Sequence, residues 1–282
     1  MTAQRHELAR MCELLAIMKR LRAADGCPWD RQQTFASIAP YTIEEAYEVA
    51  DAIERGDVAH LKDELGDLLF QVVFHAQIAA EAGAFDFEAV ASAICDKLVR
   101  RHPHVFAAAA TGDGDPITAA EQSVAWEESK ARERDAVSGS ALNGVPQSLP
   151  ALMRAHKLSK RAARVGFDFE HASQTADKVA EELAEVREAA AAGVRAAAVA
   201  GAGPGAAPSQ EIFEEIGDLL FAAANLARKL EVDAEAALRA ANTKFERRFR
   251  AMEALAEQRG ERFASLNLAA QERLWLEVKR AE

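Results

Sequence analysis

The stretch ELGDLLF at residues 64–70 occurs a second time in the chain, as EIGDLLF at residues 215–221. Six of the seven positions are identical. An acidic segment lies upstream of each copy, EEAYEV at 44–49 and EELAEV at 181–186. Two related segments in the same order indicate that the chain contains an internal repeat.

Each repeat also contains a basic segment, followed by a tryptophan with a lysine four residues later. These landmarks are KLVRR at 97–101 with Trp126 and Lys130, and KFERR at 244–248 with Trp275 and Lys279. Four landmarks in one order are the pattern of a tandem duplication. We therefore expect two domains, at 1–135 and 151–282, and a linker at 136–150, where turn-forming residues are frequent.

Apolar residues recur at three- and four-residue steps in both copies, which is the spacing of one helix face. The clearest series is Ile212, Ile216, Leu219, Ala223, Leu226 and Leu230. Strand-like alternation is nearly absent, and aromatic residues are only 6% of the chain. The sequence predicts an all-α fold of two tandem helical bundles, each with four or five helices. An Ala/Gly-rich insertion at about 189–209 is expected to be a flexible loop.

The charge balance argues against several classes of partner. With 45 acidic and 34 basic residues, the net charge is −11, which disfavours general nucleic-acid binding. No apolar stretch approaches the roughly 20 residues that span a bilayer. The three cysteines form no C-x-x-C pair, and the first residues lack the apolar segment of a signal peptide. We expect a soluble cytoplasmic protein.

Acidic residues spaced three apart occur in both acidic segments of each copy. In the second copy, Glu182 precedes Glu185 and Glu215 precedes Asp218. Side chains with this spacing share one helix face, so two such helices packed together would bring four carboxylates into one pocket. Their repulsion would raise some pKa values, and Mg²⁺ or Mn²⁺ would relieve it. The matching residues of the first copy are Glu45, Glu48, Glu64 and Asp67.

Glutamates three residues apart are also common on solvated helix faces, and this is the competing interpretation. Two features favour a metal site. The pattern recurs in register, and a glycine follows in both copies, Gly66 and Gly217. Because glycine inside a helix costs about 1 kcal/mol, we expect another helix or a ligand to approach closely there.

Several tracts together resemble the MazG family of nucleoside triphosphate pyrophosphohydrolases. They are GCPWD at 26–30, EEAYE at 44–48, ELGDLLF at 64–70, RHPHVF at 101–106 and NTKFERRFR at 242–250. The resemblance covers essentially the whole chain. It implies an all-α, homodimeric, Mg²⁺-dependent enzyme that splits NTPs and dNTPs into nucleoside monophosphate and pyrophosphate. It also implies a housekeeping role, in clearing aberrant nucleotides or adjusting nucleotide pools under stress.

The resemblance also implies a role for each matching residue. In the second copy Glu182, Glu185, Glu215 and Asp218 would hold Mg²⁺, and a glutamate of the first pair, Glu182 or Glu185, would also accept the proton of the attacking water. The residues implied to hold the triphosphate and base are Lys178, Glu181, Glu214, Lys244, Arg247, Arg248, Trp275 and Lys279. The first copy would form a second, less active site from Glu45, Glu48, Glu64, Asp67, Lys97, Arg101, Trp126 and Lys130.

Two departures from the family pattern affect the phosphate contacts. Tyr41 occupies the position in the first copy that Lys178 has in the second. Relatives tend to carry a lysine just before the second acidic helix, where this chain has Glu211. These departures predict a weaker first site and altered phosphate contacts at the loop of the second.

Two other functions remain open at this point. One is a narrower enzyme of the same helical type, such as a dUTP/dCTP hydrolase or a phosphoribosyl-ATP pyrophosphohydrolase. The other is a non-catalytic helical scaffold that binds nucleotides or a protein partner. The presence of all four carboxylates in both copies argues against a scaffold.

Overall fold

The computed structural model is helical wherever it shows regular structure. It describes residues 2–106, 118, 121–122, 126, 139–200 and 209–282, without the side chains of 2–8 and 195–200. No β-strand occurs among these residues, so the all-α prediction is confirmed. None of the described helices is long and apolar enough to cross a membrane. The chain divides into two compact units, Met1–Ser129 and Lys130–Glu282. The predicted linker at 136–150 falls partly outside the described residues and stays a prediction.

The N-terminal unit is built around an antiparallel helix pair. Its helices are α1 (Thr2–Leu21), α2 (Pro28–Gln32), α3 (Phe35–Arg55), α4 (Val58–Glu81), α5 (Phe87–Arg101) and α6 (Pro103–Phe106). Only two residues separate α3 from α4. Gly56 takes the left-handed conformation, with φ +68°, and Asp57 caps α4 by accepting a hydrogen bond from the His60 amide at 3.0 Å. This tight turn makes α3 and α4 run antiparallel along each other.

Apolar side chains from α1, α3 and α4 hold this pair in place. Met18, Ile38, Val73, Phe74 and Ile78 form the buried cluster of the unit. Phe74 is fully buried and packs edge-on against another aromatic ring of α4. Because residues from three helices meet here, the cluster fixes how α3 lies on α4.

The GCPWD tract begins in the tight turn between α1 and α2 and continues into α2. A Cβ at Gly26 would lie 2.1 Å from the Leu21 carbonyl oxygen, so only glycine fits there. The buried Arg22 side chain donates hydrogen bonds to Glu81, at 2.7 and 2.9 Å, and to the carbonyl oxygen of Asp30. Arg22 thus ties this turn to the end of α4, and we call this set of contacts the N-terminal latch.

The C-terminal unit repeats this construction. Its helices are α7 (Ala151–Arg164), α8 (Ala172–Ala200), α9 (Gln210–Lys229), α10 (Ala234–Gln258), a 3₁₀ turn (Phe263–Ser265) and α11 (Leu268–Ala281). Helices α8 and α9 pack closely: a Cβ at Gly193 would lie 3.1 Å from Ile212 Cδ1. Asp168, in the loop before α8, pairs with Arg228 and Lys229 at the end of α9, at 2.5 and 3.3 Å. These contacts form a C-terminal latch at the corresponding place.

The insertion of the second copy differs from the expectation. Helix α8 continues to Ala200, so the prediction of a flexible loop is wrong for residues 189–200. Alanine has the highest helix propensity, and Ala189 is buried, which together explain why the helix does not end there. Residues 201–208 lie outside the described part of the chain.

We expect Phe74→Ala to destabilise the N-terminal unit by about 3–5 kcal/mol, because it leaves a cavity in the buried cluster. Urea unfolding followed by circular dichroism measures this change. The control is Phe85→Ala, since Phe85 is half exposed and its loss should change the free energy of unfolding by less than about 0.5 kcal/mol. Equal effects of the two substitutions would contradict the described core.

Candidate active site

Three carboxylates converge between α8 and α9 in the C-terminal unit. Glu182 and Glu185 lie one turn apart on α8, and Glu215 faces them from α9. One oxygen from each lies within 4.8 Å of the others. Glu182 is only 6% exposed, whereas Glu185 is open to solvent. The cluster therefore stands at the rim of the helix–helix seam, with one member inside it.

The N-terminal unit has the same arrangement between α3 and α4. Glu45 and Glu48 come from α3 and Glu64 from α4, again with an oxygen of each within 4.8 Å of the others. Here Glu64 is the buried member, at 7% exposure. The equivalent position in the C-terminal unit, Glu215, is only partly buried. The two clusters thus use the same positions. The buried glutamate, however, lies on the second acidic helix in the N-terminal unit and on the first acidic helix in the C-terminal unit.

The fourth acidic residue of each pattern stands apart from these sets of three. Asp67 lies close enough for its charge to raise the pKa values of Glu45 and Glu64. Asp218 is exposed on α9, one turn beyond Glu215. Residues three apart on a helix are about 5–6 Å from each other, so the tightest group holds only one member of the second pair. The structure therefore brings together three of the four predicted ligands in each unit.

Crowding raises the pKa of several of these carboxyl groups. Burial, then the negative charges of Asp67 and Glu48, raise the pKa of Glu45. A hydrogen bond with Glu182, then burial and the Glu182 charge, raise the pKa of Glu185. The pKa values of Glu45 and Glu185 therefore both lie above the ordinary value of a glutamate, and neighbouring carboxylates contribute to each shift.

Each cluster has a basic neighbour. It lies on the second acidic helix in the N-terminal unit and on the first acidic helix in the C-terminal unit. In the N-terminal unit His60, on α4, lies 3.0 Å from Glu64. In the C-terminal unit Lys178, on α8, lies 2.8 Å from both Glu181 and Glu182, and these hydrogen bonds raise its pKa. Lys178 gives the second site a permanent positive charge, whereas the first has a histidine.

Gly66 and Gly217 have open space around them. A Cβ at either position would meet no other group of the described residues within 4 Å. The prediction was that another helix or a ligand approaches there. None of the described helices does so, and the approach of a ligand stays a prediction.

Besides Lys178, the cations predicted to bind the triphosphate lie on α10 and α11. Arg248 lies over the Trp275 ring, 5.5 Å from its centroid, and both Arg247 and Arg248 pair with Glu282. Lys244 and Lys279 are exposed on the same two helices. The two remaining predicted contacts are on the acidic helices, where Glu181 accepts from Lys178 and Glu214 accepts from Gln210 at 2.9 Å.

The corresponding residues of the N-terminal unit are only partly described. Lys97 is exposed on α5, and Arg101 is half-buried at the end of that helix. The Trp126 ring lies 5.6 Å from the His102 ring. Lys130 falls outside the described residues. Both units therefore have the tryptophan and the arginine. The Trp275 ring contacts Arg248, whereas the Trp126 ring contacts His102.

A cavity that the sequence did not predict lies in the C-terminal unit. It has a volume of about 400 Å³ and is lined mainly by apolar side chains, among them Phe167, Phe169 and Phe221. Phe221 lies one turn beyond Asp218 on α9, and Asn225 lies one turn further. The periodic apolar series of α9 included neither Phe221 nor Asn225, and it gave no indication of an opening there.

The donor set suits a hard divalent cation. All three groups of each cluster are carboxylates, without the imidazole or thiolate that zinc, copper or iron sites use. The raised pKa values show that the carboxylates repel one another, and a cation between them would remove that repulsion. Glu182, Glu185 and Glu215 therefore fit Mg²⁺ or Mn²⁺, as do Glu45, Glu48 and Glu64.

Fold and site together define an all-α protein with two oxygen-only candidate cation sites, each on an antiparallel helix pair. Residues 33–106 match the family model of the MazG nucleotide pyrophosphohydrolase domain, and residues 149–245 match that of phosphoribosyl-ATP pyrophosphohydrolase. Both matched segments contain the acidic helices of their unit.

Full-length relatives extend these matches. The chain is 51% identical over 271 residues to a nucleoside triphosphate pyrophosphohydrolase of Escherichia coli, covering 95% of this chain and 97% of the relative. It is 40% identical to the nucleoside triphosphate pyrophosphohydrolase/pyrophosphatase MazG of Thermotoga maritima, covering 95% and 94%. The chain belongs to the MazG family of nucleotide pyrophosphohydrolases.

We expect Glu185→Gln to raise the melting temperature of the cation-free protein at pH 7–8. Because the folded pKa of Glu185 is raised, the folded state binds its proton more tightly than the unfolded state does. This residue therefore destabilises the fold once the pH exceeds that pKa, and the gain from the substitution should shrink toward pH 4.

Differential scanning fluorimetry in EDTA, repeated with Mg²⁺, measures both effects. Mg²⁺ should stabilise the wild type more than the variant. Glu253→Gln, at an exposed position on α10, is the control and should show neither effect. A lower melting temperature of Glu185→Gln in EDTA would contradict the repulsion described here.

Proposed function

We propose that the protein hydrolyses nucleoside triphosphates, both ribo and deoxy, to nucleoside monophosphate and pyrophosphate in the presence of Mg²⁺ or Mn²⁺. The observation that carries the proposal is the convergence of Glu182, Glu185 and Glu215 within 4.8 Å on paired helices. The names of the full-length relatives support the same activity. Broad hydrolysis of this kind would serve to remove aberrant nucleotides or adjust nucleotide pools under stress.

Glu182, Glu185 and Glu215 would hold the cation, and Asp218 lies one turn away as a further ligand. A bound Mg²⁺ supplies Lewis acidity to phosphate oxygens and lowers the pKa of bound water. The exposed Glu185 is suited to accept the proton of the attacking water, because it is the solvent-accessible glutamate of the first acidic pair. The buried Glu182 is suited to be a cation ligand, and Lys178 pairs with it at 2.8 Å.

The cations of the unit would bind the phosphate chain. Lys178 lies directly beside the cluster, whereas Lys244, Arg248 and Lys279 come from α10 and α11. Positive side chains stabilise the charge that develops on departing pyrophosphate. Trp275, already stacked with Arg248, offers an aromatic face to the base.

The C-terminal site is proposed to carry most of the activity. Lys178 provides it with a charge that persists at every physiological pH, and the equivalent position of the N-terminal site is Tyr41. There the neighbouring cation is His60, which is charged only when protonated. The first cluster would still bind a cation, with weaker stabilisation of the phosphates.

A homodimer would cover an apolar stripe on α9. Phe213, Ile216 and Leu220 are 69%, 41% and 51% exposed, and their spacing places them on one face. Gly217 lies within this stripe, with open space above it. Exposed apolar stripes of this kind are typical of surfaces between protein chains.

Light scattering should therefore give a mass of about twice 30.5 kDa. Leu220→Glu should shift the protein toward the monomer, because it places a charge in the contact. The far-ultraviolet circular dichroism of the variant checks that it remains folded. A wild type that is monomeric at micromolar concentration would refute the dimer.

A second candidate is hydrolysis of phosphoribosyl-ATP. The match of residues 149–245 to the phosphoribosyl-ATP pyrophosphohydrolase model favours it. This substrate would use the same cluster and release the same pyrophosphate. The two candidates differ only in what the site accepts beyond the phosphates, so one substrate panel separates them.

The panel consists of each NTP and dNTP, with dUTP, dCTP and phosphoribosyl-ATP included, incubated with the protein and Mg²⁺. Chromatography should identify nucleoside monophosphate and pyrophosphate as the products. Nucleoside diphosphate with orthophosphate would refute the proposal, and turnover of one substrate alone would favour the narrower enzyme. No product with any substrate would identify a non-catalytic binding protein.

Glu185→Gln should lower kcat by about 10²-fold or more, because it removes both a cation ligand and a proton acceptor. Glu48→Gln, the matched change in the N-terminal cluster, should cost much less. Glu253→Gln serves as the neutral control. Near-normal turnover by Glu185→Gln would contradict the assignment of the C-terminal site.

A further inference from the structure

Two consecutive arginines of α10 share one carboxylate. Arg247 donates to Oε1 of Glu282 at 2.5 Å, and Arg248 donates to Oε2 at 2.9 Å from Nε and 2.5 Å from a terminal nitrogen. Both oxygens of Glu282 are therefore occupied by guanidinium groups. Arg248 places two N–H donors on one oxygen and Arg247 places one donor on the other, and guanidinium donors of this kind also bind phosphate oxygens.

The Arg248 side chain is held on two sides. The Trp275 ring lies against its guanidinium group at 5.5 Å, and its side chain is only 17% exposed. The Phe245 ring in turn lies 5.7 Å from Trp275. Arg248 is thus held in place by an aromatic contact, and Glu282 accepts hydrogen bonds from its Nε and from one terminal nitrogen.

Glu282 is negatively charged under all ordinary conditions. Hydrogen bonds from Arg248 and Arg247 lower its pKa to about 2. An anion that arrives at these arginines must therefore displace a charged carboxylate, not a neutral acid. The cost of that displacement would subtract from the affinity for the anion.

We propose that Glu282 is an internal competitor of the substrate, whose carboxylate occupies the phosphate-binding donors of Arg247 and Arg248 and thereby sets KM. The inference rests on the proposed function for the identity of the substrate. The competition itself concerns any polyphosphate anion. Binding would move the Glu282 side chain away, while the Trp275 contact keeps Arg248 in position.

Helix α11, which ends one residue before Glu282, offers a matched control. Glu277, on that helix, pairs with Arg259 at 2.5 Å, and both side chains are about half exposed. The ring contacts of Trp275 are with Phe245 and Arg248. Glu277→Gln removes the same charge from a nearby position without freeing Arg247 or Arg248, so it corrects for the general effect of net charge.

The experiment compares Glu282→Gln, Glu282→Asp and Glu277→Gln with the wild type in Mg²⁺. Two measurements are made: the Kd of inorganic tripolyphosphate by calorimetry, and KM and kcat for a hydrolysed nucleotide. Glu282→Gln should lower Kd and KM about three- to tenfold, with kcat changed less than about twofold. Glu282→Asp keeps the charge, so its Kd and KM should stay closer to those of the wild type. The Kd and KM of Glu277→Gln should equal those of the wild type.

An unchanged or higher Kd and KM in Glu282→Gln would overturn the competition. An unchanged value would mean that Glu282 has no effect on anion binding, and a higher value would mean that it orients Arg248 for the substrate. An equal decrease in Glu277→Gln would also overturn it, by showing that net charge alone is responsible. If no nucleotide is hydrolysed, the proposed function fails, but the tripolyphosphate Kd still tests the competition.

Discussion

Repulsion between carboxylates that are forced together is the constraint on which this molecule depends. In each unit three glutamate side chains lie within 4.8 Å of one another, at the seam of an antiparallel helix pair. Packing of apolar side chains holds the helices together despite this repulsion, as the buried cluster around Phe74 illustrates. This repulsion would favour a cation at each site, because the ion would convert an unfavourable contact into a favourable one.

The two units place basic residues at different positions around their carboxylate clusters. His60 approaches the N-terminal cluster from α4, whereas Lys178 approaches the C-terminal cluster from α8. The latches are reversed as well: an arginine after α1 binds a glutamate at the end of α4, while an aspartate before α8 binds cations at the end of α9. In the latches, the acidic and the basic partner have therefore exchanged places between the two units, whereas the helix pairs are the same.

The C-terminal unit adds a second group of charges, on α10 and α11. Arg248 is held between Trp275 and Glu282, so its guanidinium group has a defined orientation. An oriented cation binds phosphate with less loss of side-chain entropy than a mobile lysine does. In the competition that we propose, the carboxylate of Glu282 would oppose this advantage, and the balance between the two would determine the affinity for an anion.

The sequence by itself determined the helical class, the duplication and the acidic pairs, because helix periodicity and i,i+3 spacing are local properties of the chain. It could not determine which acidic residues meet: Glu215 joins the tight set, whereas Asp218 lies a turn away. Nor did it reveal the continuation of α8 to Ala200, the open space at Gly217 or the pairing of Glu282 with two arginines. The meeting of the acidic residues and the pairing of Glu282 depend on how segments distant in sequence pack, and only the tertiary structure specifies that packing. The continuation of α8 has a partly local cause, the helix propensity of alanine, together with the burial of Ala189.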